Sequence, residues 1–222
     1  MVEVTNILID KEDNFEIIRD QIAQIIADES VNQMVLAANA AKDPSLWELR
    51  VFAERSNPFE QFMNNPVADT SPIINVWFDN YNVDLGSSNS VERQTTRGNF
   101  NIDCYGYGLS KDDGGSGHIP GDEEAALEAQ RAVRLVRNIM MLDINTYLQL
   151  RGVVQTRMPQ DVSTFQPQFN GQPAVQVVGA RISLNVRFDE YSPQFVNDTL
   201  DELGVTITRA SDGQVLAKQE LI

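Results

Sequence analysis

The chain has 222 residues, and its 32 acidic against 17 basic side chains give a formal net charge of −15. This length is typical of one large domain, or of one domain with an appendage. An apolar fraction of 42%, with 13 glycines and 9 prolines, excludes the collagen-like, low-complexity and wholly disordered classes. The negative charge would repel phosphate backbones, which argues against nucleic-acid binding as the main task.

The N-terminal residues 1–13 are acidic, and they lack the basic start and long apolar run of a secretory signal. No stretch of the sequence approaches the length of apolar residues that a membrane span requires. We therefore expect a soluble protein that is not exported.

Cys104 is the only cysteine and His118 the only histidine, which excludes an intrachain disulfide and zinc sites built from His/Cys clusters. The common nucleophile-elbow, phosphate-loop and dinucleotide-binding motifs are also absent from the sequence. The residue counts alone do not exclude a catalytic dyad of Cys104 and His118. However, Cys104 lies in an alternating strand and His118 in a glycine-rich loop, which favours a packed strand residue and an exposed imidazole.

The N-terminal region predicts two helices. Residues 13–28 place apolar side chains at helical spacing, and Asp13 with Glu16 forms a capping-box-like start. Ser30 is then predicted to start a second helix, which ends at Asp43 before a proline. One bent helix is the alternative.

The next segments predict a strand, a helical turn and a long antiparallel hairpin. Residues 47–51 alternate like a half-buried strand, and Asn57-Pro58 resembles the start of a short helix. Residues 73–83 and 93–108 both alternate and are expected to pair with each other. In the second of them, residues 100, 102 and 104 are expected to share one face of the strand.

Residues 111–121 are too rich in glycine for regular structure. Asp112, Asp113 and Asp122 could in principle hold a hard cation through carboxylate oxygens. The EF-hand spacing is absent, so a loop without a cation is the favoured interpretation.

Residues 122–142 predict the clearest helix in the chain. Acidic residues occupy its first turn, and one face is apolar at positions 125, 129, 132, 133, 136, 139 and 140. Leu135 and Leu142 lie to the side of that face, which indicates either a wide core face or a subunit contact. For the subunit contact, the predicted residues are Leu135, Leu142, Arg131, Arg134 and Arg137, with helix 13–28 of a neighbouring copy as the partner.

The C-terminal part predicts two more hairpins. Residues 152–165 and 174–191 flank a loop with Asn170-Gly171 at its centre, and the second segment alternates like a strand with one face on the core and one in water. Residues 204–222 predict a small hairpin after a polar link. An isolated two-stranded hairpin is marginal in water, so this one is expected to dock on its own domain or on a partner.

These elements indicate an α+β fold with a mainly antiparallel sheet packed against helices. The predicted core domain spans residues 1–193, and residues 194–222 form a C-terminal extension. The order of elements resembles that of the tail terminator (tail-completion) proteins of long-tailed bacteriophages. The similar stretches are residues 13–28, 71–107, 122–142 and 174–191.

The resemblance implies a virion protein without an active site or cofactor. Members of the family form a hexameric ring on the head-proximal end of the tail tube, stop tube polymerisation and join the tail to the head connector. The implied partners are therefore other copies of the chain, the tail tube protein, a sheath where the tail has one, and the connector or neck proteins. DNA would pass through the bore without sequence-specific binding, and no membrane would be involved. The protein would be found in the host cytoplasm during assembly and then in the tail or neck of the virion.

The C-terminal hairpin departs from the pattern of that family, and it is a candidate arm that adds strands to a neighbour's sheet edge. Its expected contact residues are Val205, Ile207, Val215 and Leu216.

Two alternatives share many of these features. Another neck or head-completion protein, or a tail-tube or baseplate component, would differ in ring size and partner. A metal- or small-molecule-dependent enzyme could instead use the aspartate-rich region 103–122, and it would show perturbed carboxylates around a pocket.

Overall fold

The computed structural model describes residues 12–64, 70–87, 89–90, 92–112, 118–169, 172–173, 176–191, 203–208 and 215–221. The helices are α1 (Asn14–Asn39), α2 (Glu60–Asn64) and α3 (Gly121–Met141), with 3₁₀ turns at Pro44–Trp47 and Asp143–Asn145. The strands are β1 (Arg50–Ala53), β2 (Ile73–Val83), β3 (Arg93–Tyr107), β4 (Lys111–Asp112), β5 (His118–Ile119), β6 (Val154–Phe165), β7 (Gln168–Phe169), β8 (Gln172–Pro173), β9 (Val177–Tyr191), β10 (Leu203–Thr208) and β11 (Val215–Leu221).

The main sheet of the described residues has the strand order β1-β2-β3-β9-β6. Its neighbouring strands pair antiparallel, except that β1 runs parallel to β2. Strand β6 therefore forms one edge of the sheet, and the four-residue β1 forms the other. The predicted α+β class with a mainly antiparallel sheet is confirmed.

The predicted long hairpin is confirmed as β2 and β3. Ile73 pairs with Tyr105 at one end, and the register shifts once, between Phe78 and Asn80. The alternation in β9 also follows the prediction, because residues 180, 182, 184, 186 and 188 are fully buried while the residues between them are partly exposed.

Both long helices pack on one face of the sheet, here called the helix face. Helix α1 lies over β1 and β2, and α3 lies over β3 and β9. The apolar stripe predicted for α3 is buried at every expected position. Together these surfaces form a single core with the inward side chains of β2, β3 and β9.

The two long helices run in opposite directions across the sheet. Helix α1 starts beside Glu190, near the end of β9, where the carboxylate of Glu190 accepts hydrogen bonds from the N–H groups of Asn14 and Phe15. Helix α3 instead starts beside Gly108, just after the end of β3, and runs back toward the start of β6. Its C-terminal end therefore lies at the end of the sheet where α1 begins.

The prediction of two separate N-terminal helices is wrong, and the alternative of a single helix is the one observed, because α1 is continuous from Asn14 to Asn39. Ser30 does not start a new helix. Its hydroxyl donates to the carbonyl of Trp47 at 2.8 Å and accepts from the N–H of Leu49 at 3.1 Å. The serine thus connects the middle of α1 to the segment that leads into β1.

Two further local predictions need correction. Residues 47–51 do not form one strand, since a 3₁₀ turn ends at Trp47 and β1 begins only at Arg50. Within the glycine-rich segment predicted to be irregular, Lys111–Asp112 pairs antiparallel with His118–Ile119. Residues 113–117 lie outside the described part of the chain.

The other face of the sheet, here called the outer face, was predicted to be wet. At one end it is instead covered, because the segment that contains α2 folds over it. This segment contributes Phe59 and Phe62 to a second apolar cluster, with Ile73, Tyr105, Tyr107 and Val177.

The C-terminal strands β10 and β11 pair antiparallel, from Leu203 opposite Leu221 to Thr208 opposite Val215, with a register shift after Ile207. The predicted domain boundary at residue 193 and the polar link beyond it lie outside the described residues, as does the predicted turn at 211–213. The role of residues 194–222 as an extension stays a prediction.

Candidate assembly surfaces

A network of side chains on the outer face surrounds Asp103, in the middle of β3. Arg181, directly opposite on β9, donates from Nε to Oδ1 at 2.6 Å and from Nη2 to Oδ2 at 3.0 Å. The indole N–H of Trp77 and the hydroxyl of Tyr105 also donate to Oδ2, at 3.0 and 3.3 Å. Asp103 is 3% exposed, so its charge is compensated inside the protein.

Aromatic rings on both sides hold the guanidinium of Arg181. Its central carbon lies 4.8 Å from the ring centroid of Trp77 and 5.2 Å from that of Phe165. The hydrogen bond to Asp103 raises the pKa of Arg181, and partial burial opposes this effect. Arginine is suited to this combination of aromatic contact and bidentate pairing with a carboxylate.

The open cleft beside this network, about 300 Å³ in volume, is also lined by the segment Glu54–Ser56 and by Asn75. The side-chain amide of Asn75 accepts a hydrogen bond from the backbone N–H of Arg55 and donates one to the carbonyl oxygen of the same residue. Since the carboxylate and the amide both already have protein partners, we interpret the network as a structural element that joins three strands.

The cysteine and histidine are placed as the favoured interpretation expected. Cys104 is 0% exposed within the core of the helix face, and His118 is exposed. Burial, reinforced by the charge of Asp103, raises the pKa of the Cys104 thiol well above its ordinary value. A protonated, inaccessible thiol is a poor nucleophile.

Of the candidate cation ligands, Asp122 is exposed in the first turn of α3, and Asp113 lies outside the described residues. In the part of the chain that the structure describes, no group of three or more His, Cys, Asp or Glu side chains is placed to hold a metal ion. The described residues therefore offer no metal site for the enzyme alternative, which stays a hypothesis.

The three arginines predicted at a subunit contact divide between two grooves. Arg131 is half-buried and forms an ion pair with Glu128 at 2.6 Å. It lines, together with Arg134 and Leu135, a groove of about 210 Å³ against the 3₁₀ turn at Leu46 and Trp47. The exposed Arg137 lines a separate groove of about 300 Å³ between α3 and β6.

The predicted leucines also differ from each other. Leu135 is half-buried and packs against the core of the helix face, as the wide-core interpretation expected. Leu142, directly after α3, is 42% exposed and is available for a contact. The four candidate residues of the hairpin lie on β10 and β11, where Val205 pairs with Gln219 and Ile207 with Ala217.

Sequence reasoning missed two exposed apolar patches. The helix-tip patch consists of Val31, Val35 and Leu36 in the second half of α1, each between 50% and 61% exposed. The sequence signal for it was the absence of any charged residue between Glu29 and Lys42.

The second surface, here called the edge patch, consists of Met141 at the end of α3 and of Met158 and Val162 on β6, each between 48% and 63% exposed. These three residues line the same groove as Arg137. The sequence could not reveal this patch, because the alternation in β6 does not show that the strand lies at an edge.

No protein-family model matches the sequence, and a comparison with curated proteins finds no match. Among the described helices, none is long and apolar enough to cross a lipid bilayer.

Proposed function

We propose that this chain is a structural virion protein that assembles into a ring, caps the head-proximal end of a phage tail tube and joins the tail to the head connector. The single observation that carries the proposal is the presence of two separate exposed apolar patches on a densely packed subunit. Clustered exposed apolar side chains of this kind favour an interaction site, since monomeric proteins seldom expose large contiguous apolar patches.

The core supports this role because its close packing makes the subunit rigid. The side chains of β2, β3 and β9 that face the helices are closely packed beneath α1 and α3. On the outer face, the buried carboxylate of Asp103 is satisfied by protein donors. A subunit that closes a ring needs such rigidity, because a small error in the angle between copies would leave the ring open.

The charge of −15 supports a conduit for DNA. If part of the acidic surface faces the bore, repulsion of the phosphate backbone keeps the DNA from adhering as it passes. The partners proposed from the resemblance are the tail tube protein, a sheath where the tail has one, and the connector.

The test adds the purified full-length chain to growing tail tubes assembled from the tube protein of the same phage genome. Electron microscopy then measures tube lengths and the density at the tube ends. We expect rings at one end of each tube and no further growth from that end. Tubes that elongate at an unchanged rate, without end density, would contradict the proposal.

A variant with an altered apolar surface provides the control for this test. Leu127→Asp changes an exposed residue of α3 that belongs to neither patch, so we expect it to cap tubes like the unaltered chain. If only this variant failed to cap tubes, the surface that contacts the tube would lie around Leu127 and not at the two patches.

A further inference from the structure

We infer that copies of this chain contact each other head to tail, with the helix-tip patch of one copy packed against the edge patch of the next. This inference rests on the proposed ring, and it identifies the two surfaces that would build it. The occupant of each patch is thus a second copy of the same chain.

The positions of the two patches support this pairing. Helix α1 lies over β1 and β2, on the side of one sheet edge, whereas the edge patch is formed partly by β6, which is the opposite edge. The helix tip lies at the end of the sheet where α3 starts, and Met141 marks the end where α3 finishes. The patches therefore occupy diagonally opposite corners of the subunit.

Two different patches on opposite corners are what a head-to-tail contact requires. An isologous contact uses one self-complementary surface and stops at a dimer, whereas a heterologous contact leaves one free patch at each end for the next copy. Repetition of the contact then produces a ring when the rotation closes.

The charges around the patches are complementary. Asp28 is exposed and lies on the same stripe of α1 as Val31 and Val35, at helical spacings of three and seven residues. The groove of the edge patch is lined by Arg137, Arg157 and Asp161. The carboxylate of Asp143 already acts on Arg157, so the exposed Arg137 is the cation that favours an acidic neighbour such as Asp28 over a basic one.

Arg157 also links the two elements that form the edge patch. Its guanidinium donates to the carbonyls of Asn145 and, at 2.8 Å, of Leu142. These bonds attach the turn after α3 to β6, so Met141 and Met158 are presented from one connected surface. A preformed surface loses less conformational freedom on binding.

The test uses two full-length double variants, because exposed positions can be changed without disturbing the core. V35D/L36D disables the helix tip, and M158D/V162D disables the edge. Mass photometry measures each variant alone and then an equimolar mixture of the two. Near-ultraviolet circular dichroism checks that both variants are folded, and L127D is the matched control outside the patches.

We expect each double variant to stay monomeric, with association weakened about 100-fold or more, while L127D assembles like the unaltered chain. We expect the mixture to form a dimer of one copy of each variant and nothing larger. In that dimer the unaltered helix-tip patch of M158D/V162D contacts the unaltered edge patch of V35D/L36D. The two patches left free both carry the aspartate substitutions, so no further copy can be added.

Several outcomes would overturn the inference, and they separate it from the proposed ring. If the unaltered chain forms rings and either folded double variant does too, the contact surfaces are wrong while the ring stands. If both variants are folded monomers but their mixture gives no dimer, the patches do not bind each other. If the unaltered chain never associates with itself, the ring and the inference both fail.

Discussion

Asp103 and Arg181 lie directly opposite each other on the two longest strands of the sheet, and two hydrogen bonds of 2.6 and 3.0 Å join their side chains. The guanidinium is held between the rings of Trp77 and Phe165. A slip of one residue between β3 and β9 would place the two side chains on opposite faces of the sheet and separate them. The pair therefore favours one register between strands that are far apart in sequence.

Removal of the carboxylate tests the stabilising role of this pair. We expect Asp103→Ala to lower the free energy of unfolding by about 2 kcal/mol, below the usual range for a buried ion pair because Arg181 is partly solvated. Urea denaturation at pH 7 measures the effect. Asp161→Ala on β6 is the control, since Asp161 is exposed, and a similar loss in both variants would argue against a specific role for the pair.

The phenol of Tyr105 predicts how stability changes in alkali. Its burial, followed by its contact with the Asp103 carboxylate, raises the pKa of Tyr105. The unfolded chain loses this proton near pH 10 while the folded chain keeps it, so the stability that depends on the protonated phenol is complete below pH 10 and declines above it.

Comparison of Tyr105→Phe with the unaltered chain isolates this titration. At pH 8 we expect the variant to be less stable by about 1 kcal/mol, because the hydrogen bond to Asp103 is lost. Between pH 10 and 11.5 the difference in unfolding free energy should shrink, since only the unaltered chain carries the titrating phenol. If the unfolding free energies of the two proteins changed in parallel with pH, the assignment of this titration to Tyr105 would be contradicted.

Gly106 on β3 allows the close approach of α3 to the sheet. A Cβ atom placed there would lie 2.3 Å from the carbonyl oxygen of Ala125 and 2.5 Å from the nitrogen of Ala129. We expect Gly106→Ala to destabilise the fold by about 2 kcal/mol or more, because helix backbone must shift. Thermal denaturation measures this loss.

Gly86→Ala provides the matched control for that substitution. An added Cβ at Gly86 would meet only the side chain of Asp84, at 3.4 Å, so the melting temperature should change little. Equal shifts for the two variants would show that packing against α3 is not what requires glycine at position 106.

The alternating strands and α3 could be predicted from the sequence because their periodicity reflects burial on one face. The bounds of β2 match the prediction at both ends, and those of α3 differ by one residue at each end. Local pattern is sufficient for such elements, since each contributes a single apolar surface to the core.

The remaining features depend on contacts between distant residues, which periodicity does not report. Ser30 continues α1 because its hydroxyl finds partners 17 and 19 residues further along the chain. Arg181 meets Asp103 across 78 residues. The exposure of Met158 and Val162 follows from the placement of β6 at the sheet edge, which depends on the topology of the whole domain.

The C-terminal hairpin gives a prediction about assembly. Deletion of residues 204–222 should leave the core folded, with a cooperative unfolding transition like that of the full chain, and should remove a contact with a partner. Denaturation and co-sedimentation with tail tubes test the two parts. An insoluble product would mean that these strands belong to the core, and undiminished binding would mean that they are not an arm.

The most direct test of the account is the native mass of the full-length chain across a range of concentrations. The account predicts that a discrete closed species appears as concentration rises, at about six times the 24.8 kDa of one chain, and that class-averaged images show it as a ring. A mass of one chain at every concentration, unchanged when tail tubes are added, would contradict the central claim that this protein works by assembling with copies of itself.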